Sequence, residues 1–184
     1  MRNKTQDFNI NMIKAIIGLG NPGEKYYRHR HSIGFRIADH LVEKYGGNWR
    51  EDANLLFSQI YLNGGLNKHL YVIKPTTYMN NSGKSISFLI RKGIKPEETL
   101  VLHDDIELSF GKIRIRFDGS SRGHNGLRSI ESVWGLNFWR LRFGVDRPSS
   151  KEEVPNYVLS PFPNEEENKI DSLIDKAIQL ILGS

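Results

Sequence analysis

Residues Gly18-Leu19-Gly20-Asn21-Pro22-Gly23 close an apolar run, Ile13 to Leu19, and fit the spacing G-x-G-x-x-G. A continuous apolar run of this length reads as a strand buried on both faces. In a dinucleotide site the third glycine opens a helix, whose free N–H groups hold a pyrophosphate. Here Pro22 removes one of those groups. Glu24 to Arg30 carry no apolar period, and the first helical periodicity begins near Ser32, about nine residues too late for a phosphate cradle. The segment reads instead as a tight turn that presents Asn21 at a strand end. A loop then delivers His31 to a helix start. A carboxamide and an imidazole placed this way point to hydrolysis and away from cofactor binding.

The rest of the chain sets the frame. Its 184 residues suit one domain with a full core. The absence of cysteine excludes disulfides, thiol catalysis and thiolate metal sites, and fits a reducing, cytoplasmic compartment. No stretch approaches the ~18 apolar residues of a spanning helix, so no membrane partner is expected. Met1 to Asn11 is polar and lacks the apolar core of a signal peptide. It reads as a flexible leader, residues 1–11, before a single domain over 12–184. The net charge of +5 is modest, so the placement of the cations matters more than their number.

The patterning predicts alternating strands and helices. Ser32 to Tyr45 carries Ile33, Ile37, Leu41 and Tyr45 on one helical face, with Ser32 as N-cap and Gly46 as C-cap. Leu55 to Leu62 and Leu70 to Ile73 form a strand pair around Asn63-Gly64-Gly65. Ser82 to Lys92 is a short helix. Thr99 to His103 is a strand that Asp104-Asp105 follows. Gly111 to Phe117 is a strand, Asn125 to Trp134 a helix, and Phe138 to Val145 a strand. Asp146 to Pro155 reads as a mobile polar loop, and Glu165 to Leu182 as an amphipathic terminal helix. The fold class is α/β: one domain with a mixed, twisted sheet and helices on both faces. Sites in such sheets lie beyond the carboxyl ends of the strands. Asn21, Asn80 and Asp104 fall there, and His31 and Asn125 open helices.

His31 is the best candidate for a general base, because a neutral imidazole can take a proton from water. Asp104 can hold one ring nitrogen and fix the tautomer. Asn21, Asn80 and Asn125 can hold a peptide or polarise a carbonyl without adding charge. Gly123-His124-Asn125-Gly126 places His124 and Asn125 between two glycines that permit close approach. Tyr26 and Met79 offer apolar contact to a substrate. His103-Asp104-Asp105 and His29-Arg30-His31 are rich in ligand types. Neighbours on a strand point to opposite faces, however, so no metal site or cofactor is expected. Lys112, Arg114 and Arg116 alternate with apolar residues, which puts the three cations on one strand face roughly 7 Å apart. Arg140 and Arg142 repeat the pattern, and Arg147 and Lys151 follow. Two adjacent stripes of this kind favour contact with a nucleic-acid backbone.

Four blocks now resemble the bacterial-type peptidyl-tRNA hydrolase family, over about residues 13 to 182. They are Gly18-Leu-Gly-Asn-Pro-Gly23 with Tyr26 and Arg30-His31; Lys74-Pro-Thr-Thr-Tyr-Met-Asn-Asn-Ser-Gly83; Leu102-His-Asp-Asp105; and Gly123-His-Asn-Gly-Leu-Arg-Ser-Ile130 with Arg140-Leu-Arg-Phe-Gly144. The resemblance implies cleavage of the ester between a peptide and the 3′ ribose of tRNA, by a monomer that needs no metal. It implies His31 as catalytic histidine, Asp104 as its carboxylate, and Asn21, Asn80 and Asn125 as residues that position substrate and water. Tyr26 and Met79 would line the substrate cleft, and Arg116, Arg142 and Lys151 would meet the tRNA; His124, between its two glycines, is a further candidate for substrate contact, and Arg114, in the strand stripe, for tRNA contact. Ser32 stands where the family usually has asparagine. A second implied reading is an RNA-binding, splicing-factor-like member of the same fold without catalysis. Retention of His31, Asp104 and the three asparagines argues for the enzyme.

Overall fold

Strand β1 (Ala15–Gly18) is buried along its whole length, so it must lie inside a sheet with both faces covered. The computed structural model, which describes residues 7–117 and 119–183, places it at the centre. The other strands are β2 (Arg50–Asp52), β3 (Leu55–Leu62), β4 (Lys68–Pro75), β5 (Thr99–Asp105), β6 (Ile113–Phe117) and β7 (Trp139–Gly144). They form a seven-stranded sheet in the order β2-β3-β4-β1-β5-β7-β6. The middle four strands are parallel, and β2, β3 and β6 join antiparallel at the margins. β1 pairs with β4 on one side and β5 on the other, so the chain changes direction across the sheet at its end.

Helices cover both faces. On one, α2 (Ile33–Lys44) and α6 (Asn164–Leu182) bury Ile37, Leu41, Ile174 and Ile178 against Ile16, Leu102 and Phe143. On the other, α3 (Ile86–Arg91) and α4 (Asn125–Trp134) bury Ile86, Leu89, Leu127 and Ile130 against Ala15, Ile17 and Val101. The alternation of Ile16 with Ala15 and Ile17 is the period-two signature of a strand feeding two cores. α2 ends in a Schellman arrangement, with the N–H of Gly47 donating to Val42 at 2.9 Å and that of Gly46 to Glu43 at 3.1 Å.

The glycines of the first motif serve packing. A Cβ on Gly18 would lie 2.3 Å from the carbonyl oxygen of Gly34, and one on Gly34 would lie 2.5 Å from the Leu19 nitrogen. A Cβ on Gly20 would meet the Phe35 ring at 2.5 Å. The first turn of α2 therefore rests directly on the end of β1. The N–H of Phe35 seals the contact by donating to the Leu19 carbonyl at 3.1 Å.

Several expectations are corrected. One helical turn, α1 (Glu24–Tyr27), follows Gly23 directly, and a 3-10 turn, Arg30–Ser32, precedes α2. Ser32 does not cap α2; its Oγ accepts the Asn21 N–H at 3.1 Å instead. The body begins before residue 12. Phe8 packs edge-on against Trp139 and Ile10 is buried. The Lys68 ammonium donates to the carbonyls of Ile10 at 2.9 Å and Asn11 at 3.2 Å. Residues 1–6 of the expected leader lie outside the described residues. β5 continues through Asp104 and Asp105, because β7 offers Phe143 and Gly144 as partners. The helix expected from Ser82 begins as a 3-10 turn, Met79–Ser85, before α3. The segment expected as a mobile loop holds a capping box between Ser150 and Glu153. It continues into α5 (Val154–Val158), where Pro155 occupies the first turn that suits it.

Gly34→Ala is expected to lower the unfolding free energy by about 1–3 kcal/mol, since a strand backbone and not a flexible side chain blocks the new methyl group. Denaturant titration against the parent protein measures it.

Candidate active site

The candidate site forms where β1 and β5 end side by side. Arg30 holds the short turn that carries His31. Its N–H donates to Ser160 at 3.0 Å, its guanidinium lies 3.8 Å from the Tyr157 ring centre, and it donates to the Tyr157 carbonyl at 3.1 Å. His31 thereby meets Asp104, 73 residues away in sequence. The His31 Nδ1–H donates to both carboxylate oxygens of Asp104, at 2.9 and 3.0 Å. His124 caps α4 and reaches the same carboxylate, its Nε2–H donating to Oδ1 at 2.9 Å.

The hydrogen-bond partners dictate the tautomers. His124 Nδ1 accepts the N–H of Leu127 at 3.3 Å, so its Nε2 carries the hydrogen given to Asp104. Asp104 is 2 % exposed. Burial works against its ionisation, but the two imidazoles and their hydrogen bonds outweigh burial and hold its carboxyl far below the usual carboxylate range. An ionised carboxylate only accepts, so His31 carries its hydrogen on Nδ1. The lone pair on His31 Nε2 is left over. That nitrogen has no hydrogen bond among the described residues, and the ring lines a cavity.

His103 buttresses this array. Its Nδ1–H donates to the backbone carbonyl of Asp104 at 2.8 Å, and its ring stands edge-on to His124 at 5.2 Å. Burial, aided by His124, lowers its imidazole to about 4, so it is neutral at pH 7. Its buried Nε2 has no partner among the described residues.

Asn21 is a clamp as well as a site residue. Its Oδ1 accepts the Met79 N–H at 2.8 Å, and its NH2 group has no partner among the described residues. Met79, expected as a substrate contact, is 4 % exposed and its sulfur packs on the α carbon side of Gly126. Its side chain belongs to the core, and Gly126 is glycine to admit it. The aromatic that does reach solvent is Tyr78, 55 % exposed, with its ring edge-on to Tyr26 at 6.2 Å. It holds φ at +63°, a conformation that non-glycine residues rarely adopt and that costs about 1–3 kcal/mol. Sequence reasoning passed over Tyr78; its one signal was its place beside Met79 in the second block. Asn80 and Asn125 are both exposed, and Asn125 lines the cavity.

The cavity, about 530 Å³, is lined by His31, Asp104, His124 and Asn125 and also by Arg116, Arg142 and Lys151. The predicted stripe is only partly a surface of free cations. Arg140 is 3 % exposed, pairs with Glu131 at 3.2 Å and lies over the Phe138 ring at 3.9 Å. Arg142 donates to Asp105 at 2.7 Å, and Arg147 pairs with Glu107. Arg114 is exposed, donates to its neighbour Ile113 at 2.9 Å and is not part of the cavity wall. Arg122, in the loop before α4, lines the cavity and was not anticipated as a contact.

Ligand atoms of His31, Asp104 and His124 lie within 4.8 Å of one another, a convergence that adjacent residues on a strand cannot make. Both imidazole nitrogens that face Asp104 already carry hydrogens donated to it. A cation there would have to displace both bonds.

The array makes folding sensitive to acid. An unfolded chain protonates His103 near its ordinary value of ~6.5, while the folded chain does so only at about 4. The unfolded state therefore binds more protons across that window, and stability falls as pH drops through it. Asp104 adds a further loss below the ordinary carboxylate value of ~3.9. Denaturation midpoints at pH 7, 5 and 4 are expected to fall in that order, and His103→Phe to flatten the part above pH 4.

The sequence profile of a family described as peptidyl-tRNA hydrolase matches residues 15–182. A peptidyl-tRNA hydrolase of Persephonella marina is 44% identical over 174 residues, covering 94% of this chain and 90% of that one. One of Aquifex aeolicus is 42% identical over 172 residues, covering 92% and 88%. The crystal structure of a peptidyl-tRNA hydrolase from Acinetobacter baumannii superimposes with a TM-score of 0.85 at 36% identity, covering 96% of this chain and 92% of that one.

Proposed function

Because the chain belongs to the peptidyl-tRNA hydrolase family, we propose that its cavity cleaves the ester joining a peptide to the 3′ ribose of tRNA, with His31 as general base. The observation that carries this reading is the His31–Asp104 contact, which commits the Nδ1 hydrogen and leaves the Nε2 lone pair at the cavity.

A water hydrogen-bonded to His31 Nε2 gives up a proton to that nitrogen as its oxygen attacks the ester carbonyl. Asp104 stays ionised throughout and stabilises the imidazolium that forms. The Asn21 NH2 group, or a free N–H in the first turn of α4, receives the charge that develops on the carbonyl oxygen. Collapse breaks the bond between the carbonyl carbon and the 3′ oxygen, which takes the proton from His31 as it leaves; the peptide departs as its carboxylic acid and gives the remaining proton of the water to solvent. An ester is activated enough for water to suffice, so no nucleophilic side chain is needed. Asn80 and Asn125 hold substrate and water, and Tyr26 with Tyr78, an edge-on pair outside the cavity wall, offers aromatic contact to the substrate. Arg116, Arg142 and Lys151 meet tRNA phosphates, and Arg114 contributes from outside the cavity. No metal or cofactor enters the scheme. Every group in it comes from one chain, which favours a monomer, and the cysteine-free composition fits the cytoplasm.

The rival reading, RNA binding without catalysis, gives no role to a buried carboxylate shared by two imidazoles. His31→Ala is expected to lower kcat by about 10²–10⁴-fold while intact peptidyl-tRNA still binds. Arg116→Gln is expected to act the other way. It should weaken binding of intact peptidyl-tRNA and reduce the salt slope by about 1, with a much smaller effect on a short 3′ fragment carrying the ester. Near-parental turnover in the His31 variant would overturn the base assignment, whereas tRNA binding with no turnover in the parental protein would return the chain to the binding reading.

A further inference from the structure

A second cavity, about 510 Å³, opens on the other side of β1. Its wall is formed by Asn21, Tyr27, Phe35, Leu56, Lys74 and Thr76, from the ends of β1 and β4, from β3, and from α1 and α2. The first cavity lies over β5, β7 and β6. The strand order therefore puts His31 and Asp104, at the β1–β5 boundary, between the two cavities. Asn21 joins them: it lines the second cavity, while its N–H donates to Ser32, the residue after His31.

The two cavities differ in charge. In the first, Arg116, Arg122 and Lys151 make no ion pair among the described residues. In the second, the cations are neutralised within the protein. The Lys74 ammonium sits 2.6 Å from Asp39, 4.5 Å from the Trp49 ring centre and 5.5 Å from that of Phe35. The other Asp39 oxygen accepts the Tyr27 hydroxyl at 2.8 Å, and Arg28 at the rim pairs with Glu167 at 3.3 Å. What remains open is mainly aromatic and aliphatic surface, with Asn21, whose NH2 has no partner among the described residues, also in the wall. A concave apolar wall with one or two placed polar groups is the usual form of a ligand site.

A substrate that is a polyanion on one side of its ester and a near-neutral chain on the other fits this division. Resting on the peptidyl-tRNA reading above, we infer that the second cavity holds the peptide portion of the substrate and takes an apolar or aromatic side chain close to the ester. The second hydrogen of the Asn21 NH2 group, the one not given to the oxyanion, is donated to a peptide carbonyl on the way in. Glu24 at the rim disfavours acidic residues there. The site tolerates many peptide sequences but does not treat them alike.

The test compares two substrates on one tRNA: N-acetyl-diphenylalanyl-tRNA, which can fill the cavity, and N-acetyl-glycyl-tRNA, which cannot. Its readout is the ratio of their kcat/KM values. Parental protein is expected to favour the diphenylalanyl substrate. Thr76→Trp, which fills the cavity from its rim, and Leu56→Glu, which charges its wall, should each cut the ratio by about tenfold, the size of effect that a lost apolar contact produces. A ratio that either correctly folded variant leaves at the parental value would overturn the inference and direct the peptide to the apolar part of the first cavity, Ile106 and Val158. Taking a ratio cancels losses from partial unfolding. His31→Ala run on both substrates separates the two ideas: residual turnover near the parental rate sinks the base assignment, whatever the ratio does.

Discussion

The carboxylate of Asp104 is the charge around which the site is arranged. It is buried, so its ionised form survives only because His31 and His124 both donate to it. Each donor is held by a different part of the fold. His31 stands on a turn stitched to Tyr157 and Ser160 by Arg30. His124 is the first capping group of α4. β5 brings Asp104 up between them because β7 extends the pairing as far as Gly144. Removing either imidazole leaves a buried anion with half its support, a loss that reaches both stability and chemistry.

The glycine motif gains a physical explanation that has nothing to do with nucleotides. Gly18 and Gly34 allow the first turn of α2 to sit on the end of β1, and Gly20 accepts the Phe35 ring. This close approach sets the height of the turn that carries His31. Asn21, next in the chain, then bridges outward to Ser32 and Met79. The same short segment thus positions the imidazole, secures the loop that bears Tyr78 and Asn80, and lines the second cavity.

Much of this was legible in the residues. The strand pair around Asn63-Gly64-Gly65, helix α4 and the terminal helix follow from local periodicity and punctuation, and the structure reproduces them. The partnership of His31 with Asp104 followed from strand ends meeting helix starts. Tertiary placement was harder to read. Period two puts Arg140 and Arg142 on one strand face, but β7 lies inside the sheet, flanked by β5 and the edge strand β6, and Arg140 is buried and paired with Glu131. By type and position His124 reads as a substrate contact, because nothing local shows that α4 starts beside Asp104. Ser32 is a good capping residue by type, yet the Asn21 N–H competes successfully for its hydroxyl. Pro155 reads as the end of a loop, although proline is equally at home in a first helical turn.

The central claim is that Asp104 forces opposite tautomers on the two histidines it joins, and so leaves the Nε2 lone pair of His31 for water. Nitrogen-15 NMR of imidazole-labelled protein at neutral pH reads this directly, with His31→Gln and His124→Gln variants to assign the signals. The account predicts that neutral His31 carries its hydrogen on Nδ1 and His124 on Nε2. A neutral His31 protonated on Nε2 would contradict it, since that nitrogen would have no lone pair with which to activate water.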